Sequence, residues 1–209
     1  MSSERILYLS RRDVELACAE IDPVATVAAA LALHASGHTV LPDEAYLGWT
    51  TSAGDSARSL NMPSWLGGEF ASAGTKIING NPGNPGRRRA RASGLTLLFD
   101  TLSARVISVM DAAYISSLRT ASVTALGVSV LQPAPVECVC VLGAGALAEA
   151  HLGLLPVRLP RLREVRLFDI EADRAAALHA RFAPLMDARG VRFHLASSAE
   201  HAVREAQLI

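Results

Sequence analysis

Gly143, Gly145 and Ala148 stand at the three small positions of a G-x-G-x-x-A turn. In such a turn the first glycine permits a tight bend and the second lets the backbone approach a pyrophosphate. The third small residue lets the following helix pack on the preceding strand. The N–H groups at the helix start, among them those of Ala146 and Leu147, then face the anion. The next apolar run, Val165 to Phe168, ends at Asp169. A carboxylate there meets a ribose 2′-hydroxyl and repels a 2′-phosphate, so the expected cofactor is NAD rather than NADP. A glycine–alanine turn in some other α/β protein is the bland competitor. The strand before the turn, the helix after it and the acid at the next strand end weigh against that competitor.

Residues of this kind act only where elements hold them. After the turn region the pattern alternates. Strands are expected at Glu137–Leu142, Glu164–Phe168 and Val191–Leu195, with helices at Gly145–Leu155, Glu171–Asp187 and Ser198–Ala206. That alternation predicts βαβ units on a parallel sheet, a Rossmann-type domain. Ahead of it the reading changes. Ile6–Leu9 reads as a short strand, Ser10 with Asp13 as a helix cap, and Asp22-Pro23 as the start of a second helix that ends at Gly37. Between Thr39 and Met110 short extended runs are broken by Gly, Pro, Asn and Asp. Strands are expected at Ala45–Trp49, Ala57–Asn61, Phe70–Ile78, Gly94–Phe99 and Arg105–Met110, mostly antiparallel. Asn79–Arg91 reads as a loop, Ile115–Leu131 as a long helix, and Gln132-Pro-Ala-Pro135 as its break. The expected organisation is an α+β domain over residues 1–133 followed by a nucleotide-binding domain over residues 134–209. Ala206–Ile209 reads as the entry to a fourth parallel strand. A dinucleotide fold uses about six strands, so the chain supplies about half of one and its Rossmann-type domain reads as incomplete at the C-terminal end. A full product ending there would expose an unfinished sheet edge.

The 209 residues carry no formal net charge, 50% hydrophobic and 19% charged side chains. That is a soluble globular composition, which gives no support for nucleic acid or an anionic membrane as a partner. No apolar run is long enough to span a bilayer, and the start Met-Ser-Ser-Glu-Arg lacks a signal-peptide pattern, so the cytoplasm is the expected location. Cys138 and Cys140 point the same way from one strand and lack zinc-site spacing; no metal is expected.

Two further segments carry a resemblance. Asn61-Met-Pro-Ser-Trp-Leu-Gly-Gly-Glu-Phe-Ala-Ser-Ala-Gly-Thr-Lys76 and Asp111-Ala-Ala-Tyr-Ile-Ser-Ser-Leu-Arg-Thr-Ala121 resemble two motifs of the ornithine cyclodeaminase/μ-crystallin family, in that family's order and spacing relative to Gly143. The likeness runs from Leu7 to the end. Asn84-Pro85, Arg91-Ala-Ser-Gly94 and Ile115-Ser-Ser-Leu-Arg-Thr120 are similar to the branch of NAD-dependent dehydrogenases acting on N-(2-amino-2-carboxyethyl)-L-glutamate. The resemblance implies that Lys76 binds a substrate carboxylate and is also a candidate proton shuttle. It implies that Arg119 lies near substrate and cofactor phosphate with Thr120 at the cofactor, and that Arg58 binds substrate. Where ornithine cyclodeaminases carry an arginine after a proline, Pro42-Asp-Glu44 carries acids. The family's catalytic aspartate lies beyond Ile209. The family also implies a homodimer formed through the first domain.

That chemistry is oxidation of a secondary amine, to 2,3-diaminopropionate and 2-oxoglutarate for this branch. It needs cationic clamps on the substrate carboxylates and a proton acceptor for the amine. Taken without the resemblance, Lys76 is a surface lysine at a strand end, Arg119 a helix-start ion pair and Arg87-Arg-Arg89 a solvated loop. The alternatives within enzymes are an ornithine cyclodeaminase, alanine dehydrogenase or ketimine reductase. Outside them it is a non-catalytic, crystallin-like NAD(P)H-binding protein.

Overall fold

Ser10 begins the first helix by a reciprocal cap. Its hydroxyl accepts from the Asp13 N–H at 3.4 Å, and the Asp13 carboxylate accepts from the Ser10 N–H at 2.9 Å. Asp22 begins the second by accepting from Val24 and Ala25 N–H, with Pro23 at the first helical position. The computed structural model describes residues 5–209 and forms two compact units that part between Ser116 and Ser117.

The first unit contains β1 (Leu7–Leu9), α1 (Arg11–Ala19), α2 (Pro23–Ala35), β2 (Thr39–Val40), β3 (Ala45–Thr50), β4 (Ser56–Leu66), β5 (Ser72–Gly80), β6 (Ala92–Phe99) and β7 (Val106–Asp111). They form one seven-stranded sheet in the order β1-β7-β6-β5-β4-β2, with β3 also on β4. All pairings are antiparallel except β1 with β7. The expected strands are present, but β5 runs to Gly80, two residues into the expected loop, and β6 starts two residues early at Ala92; three further changes stand out. β4 runs on through Pro63 to Leu66, whereas the proline had argued for an end at Asn61. β3 pairs with residues 56–61 of β4 and β2 with residues 65–66. Pro63 falls in the gap between them, so its missing N–H costs no ladder bond there. β5 starts at Ser72 rather than Phe70, because Gly68 (φ 59°) and Ala71 (φ 39°) turn the chain through the left-handed region. The short strand β2 was not anticipated. Within the Asn79–Arg91 loop, Pro85–Arg87 forms one 3-10 turn.

α3 (Ala113–Leu131) begins in the first unit and carries the chain into the second. The expected boundary at 133/134 lies just past the end of this helix, whereas the compact units part near its start. The helix body packs in the second unit, where Thr124 Oγ1 and His151 Nε2 lie 2.9 Å apart.

The second unit alternates β8 (Cys138–Leu142), α4 (Ala146–Arg158), β9 (Glu164–Phe168), α5 (Ala172–Asp187), β10 (Arg192–Leu195) and α6 (Ala199–Val203). The sheet is parallel, in the order β10-β9-β8. Leu208 makes an isolated parallel bridge to Val139 on the free side of β8, with the Cys140 N–H donating to the Leu208 carbonyl at 2.8 Å. The chain therefore leaves β8 in both directions, which makes the end of β8 a topological switch point. Val139, Cys140, Val165, Leu167 and Met186 are fully buried in this unit. α6 stops at Val203, three residues short of expectation; Arg204 is extended and Glu205 left-handed (φ 61°) before the bridge. Among the described residues no single helix is long and apolar enough to cross a membrane.

Candidate functional site

The glycine turn lies at that switch point. Gly143 takes φ 99°, a region costly for any residue with a Cβ, and its N–H donates to the Phe168 carbonyl at 2.7 Å. The turn is thus tied to the end of β9, where Asp169 follows. Gly145 caps α4 with no side chain, and the first intrahelical bond runs from the Glu149 N–H to the Gly145 carbonyl at 3.1 Å. The N–H groups of Ala146, Leu147 and Ala148 precede that bond and point from the positive end of the helix. A Cβ on Gly145 would meet only the tip of Arg174, at 4.0 Å. The space for an anion beside the backbone is therefore open.

Asp169 closes the other side. Its Oδ2 accepts from the Ala144 N–H at 2.6 Å and its Oδ1 from the Glu171 N–H at 2.8 Å. Burial pushes this carboxyl up, but the Glu171 and Ala144 N–H groups and the charge of Arg174 outweigh burial. The group ends below the ordinary aspartate value. It stays an anion, and each oxygen keeps a further lone pair for a hydroxyl donor. A turn with open space at the second glycine, free helix-start donors and an oriented carboxylate fits the pyrophosphate and ribose of a dinucleotide.

Arg174 was not singled out from the sequence. It sits at the third position of α5, pairs with Glu171 at 3.0 Å and brings its guanidinium toward Gly145. The available signal was a cation in a first helical turn, where the macrodipole disfavours one. His151 lies further along α4. Its Nδ1 lies 2.7 Å from the Leu147 carbonyl and its Nε2 faces Thr124, so both nitrogens are engaged.

In the first unit, Lys76 lies half-buried on β5, opposite Met62 of β4 and Thr96 of β6. Its Nζ donates to Ser116 Oγ at 3.5 Å, at the start of α3. It is the one lysine in the chain; the other nineteen of the twenty basic residues are arginine. An ammonium pairs as a compact point charge, where a guanidinium would present a planar fork. Arg58 is exposed on β4, opposite Gly48 and Gly80. Arg58 pairs with Gly80 and Met62 with Lys76, so Arg58 and Lys76 rise from one face of the sheet, four ladder positions apart. Arg119 is exposed on α3, and no ion pair engages it among the described residues. Thr120, its neighbour, is half-buried. The structure thus gathers Gly143, Gly145, Ala146, Leu147 and Asp169 in one place, and sets Lys76 beside Ser116 on the face that bears Arg58.

The sequence model of the ornithine cyclodeaminase/mu-crystallin family matches residues 6–209. The chain belongs to this family. It is 33% identical over 171 residues to the N-((2S)-2-amino-2-carboxyethyl)-L-glutamate dehydrogenase of Staphylococcus aureus, covering 80% of this chain and 51% of that protein. The crystal structure of CmnK superposes with a TM-score of 0.90 at 37% identity, over 99% of this chain and 61% of that one. An archaeal alanine dehydrogenase dimer with bound NAD superposes at 0.77 and 26% identity, over 94% and 57%. The chain therefore spans about half to three-fifths of the length of the relatives it matches.

Proposed function

We propose that this chain is the substrate-binding and NAD-binding part of an NAD-dependent amino-acid dehydrogenase. Its substrate is N-(2-amino-2-carboxyethyl)-L-glutamate. With water and NAD⁺ the reaction yields 2,3-diaminopropionate, 2-oxoglutarate, NADH and a proton. The observation that carries the reading is the glycine turn with Asp169 fastened to its lip by Ala144 and Glu171. The likeness to the S. aureus dehydrogenase supports the substrate.

Bound at the turn, NAD supplies a hydride acceptor. The helix-start N–H groups of Ala146 and Leu147 take the pyrophosphate, Asp169 takes the ribose hydroxyls, and Arg119 and Thr120 add contacts to cofactor phosphate. Lys76 pairs with one substrate carboxylate as a point charge, and Arg119 grips a carboxylate through two parallel bonds. Held in this way, the amine presents one face to the acceptor, and such orientation lowers a barrier by several kcal/mol. Lys76, with Ser116 at hand, also moves a proton between the amine and solvent. The enzyme works in the cytoplasm as a homodimer. Its interface is the sheet face opposite Lys76, where Tyr8, Leu47, Trp49, Trp65 and Leu95 are all exposed.

Cofactor titration tests the site. Asp169→Ala should weaken NADH binding about tenfold or more and narrow the gap between NADH and NADPH. Unchanged NADH affinity would remove Asp169, and with it the cofactor assignment. Equal yields of 2,3-diaminopropionate and 2-oxoglutarate from the substrate test the reaction; another amino acid consumed in its place would overturn it.

A further inference from the structure

One row of the first sheet is cleared of side chains around a single cation. Arg58 on β4 stands between Gly48 of β3 and Gly80 of β5, and Ala92 of β6 is the next in line. A strand residue normally meets a neighbour on each side at about 5 Å between Cβ atoms. Here both neighbours are hydrogen. The Arg58 side chain lies over Gly80, with Nε 3.7 Å and Cγ 3.8 Å from where a Cβ would stand. On the other side the Tyr46 ring lies over Gly48, its hydroxyl 3.1 Å from the corresponding point. The row therefore offers a planar five-donor cation and a phenol on neighbouring strands, above bare backbone.

No ion pair engages Arg58 among the described residues. The acid closest in sequence, Asp55, is committed elsewhere. Its Oδ2 accepts from Arg87 at 2.6 Å and from Asn81 at 3.4 Å, and the hydrogen bond from Arg87 holds its carboxyl below the ordinary range. The contact pins the arginine-rich loop at the same end of the sheet. A Cβ on Gly83 would fall 2.3 Å from Asp55, so glycine there lets the loop close, and the Arg91 carbonyl lies beside Gly80. Lys76 rises from the same face four ladder positions away, about 13 Å along the strand. Two cationic side chains on one face, separated by that interval, match an extended substrate that carries more than one carboxylate. A substrate with one carboxylate would reach only one of them.

Building on the dehydrogenase reading, we propose that the row Gly48–Arg58–Gly80 is the subsite for the distal side-chain carboxylate of an amino-acid substrate that bears several carboxylates. Arg58 is its two-pronged clamp and Tyr46 its hydroxyl donor. The Asp55–Arg87 contact is a positioning element that fixes the basic loop at the subsite's end.

The experiment compares kcat/KM for N-(2-amino-2-carboxyethyl)-L-glutamate with that for the analogue whose distal carboxylate is an amide. It uses the unmodified protein, Arg58→Gln, Arg58→Lys and Tyr46→Phe. In parallel, calorimetry measures 2-oxoglutarate binding against 2-oxobutyrate, a readout independent of turnover. The unmodified protein should prefer the carboxylate compound by about 30-fold or more. Arg58→Gln should bring that ratio near one, with Arg58→Lys and Tyr46→Phe between. 2-Oxoglutarate should lose affinity in Arg58→Gln while 2-oxobutyrate does not. A ratio that survives Arg58→Gln, or 2-oxoglutarate binding indifferent to Arg58, overturns the subsite. Arg58-dependent 2-oxoglutarate binding without turnover of either compound upholds the subsite and removes the proposed reaction instead.

Discussion

At the residue scale the proposed function rests on Asp169 and Lys76, and their surroundings set different demands. Asp169 is a carboxylate whose charge the fold protects. Its folded-state value lies below the unfolded one, so its contribution to stability is complete above the ordinary carboxylate range. That contribution is lost as the pH falls through the folded value. Acid unfolding followed by fluorescence should show Asp169→Asn less stable than the unmodified protein at neutral pH, with the two curves converging in acid. A constant gap at every pH would mean that the hydrogen bonds to Ala144 and Glu171 do not hold the charged form. Lys76 is the single lysine, so amine-directed acylation has one side-chain target in the chain. Lys76→Ala should reduce turnover about 100-fold or more while NADH binding is retained. Lys76→Arg should restore substrate binding better than turnover if the amine shuttles a proton, because guanidinium does not deprotonate. Equal recovery of both would leave Lys76 a clamp only.

At the scale of elements, backbone positions decide more than side chains do. A Cβ on Gly94 would fall 1.9 Å from the Ile77 carbonyl, inside the β5–β6 ladder that carries Lys76. Gly94→Ala should therefore destabilise the first unit by about 1–3 kcal/mol in chemical denaturation. Gly86→Ala, where nothing lies within 4 Å, serves as the control. An equal effect at both would show that the sheet yields at Gly94. Most of this layer was legible in the sequence. The caps at Ser10 and Asp22, the alternation after Pro135 and the strand ending at Asp169 are local signals, and local hydrogen bonds satisfy them. What was not legible depends on pairing between distant segments. β4 continues through Pro63 because β2 and β3 leave a gap there, and no window around Pro63 carries that information. The same holds for the candidate site. Gly143, Gly145 and Asp169 announce themselves by spacing. Arg174 and Tyr46 are placed by the tertiary fold, and the cleared row around Arg58 exists only once β3, β4 and β5 are in register.

At the scale of the whole molecule, the first sheet has two unlike faces. One bears Lys76, Arg58 and Tyr46. The other exposes Leu47, Trp49 and Trp65 in succession across β3 and β4. In the proposed homodimer a second copy covers that apolar face. Leu47→Glu should shift sedimentation from dimer to monomer at micromolar concentration without changing the far-ultraviolet spectrum. A monomeric unmodified protein would rule this interface out. The central proposal is that this chain supplies the substrate-binding and NAD-binding parts of a dehydrogenase that oxidises a carboxylated secondary amine. The most direct test is NADH formation by the protein given NAD and N-(2-amino-2-carboxyethyl)-L-glutamate, with ornithine and alanine run alongside. The account predicts NADH with the first substrate and none with the other two; NADH from ornithine or alanine, or from none of the three, would contradict it.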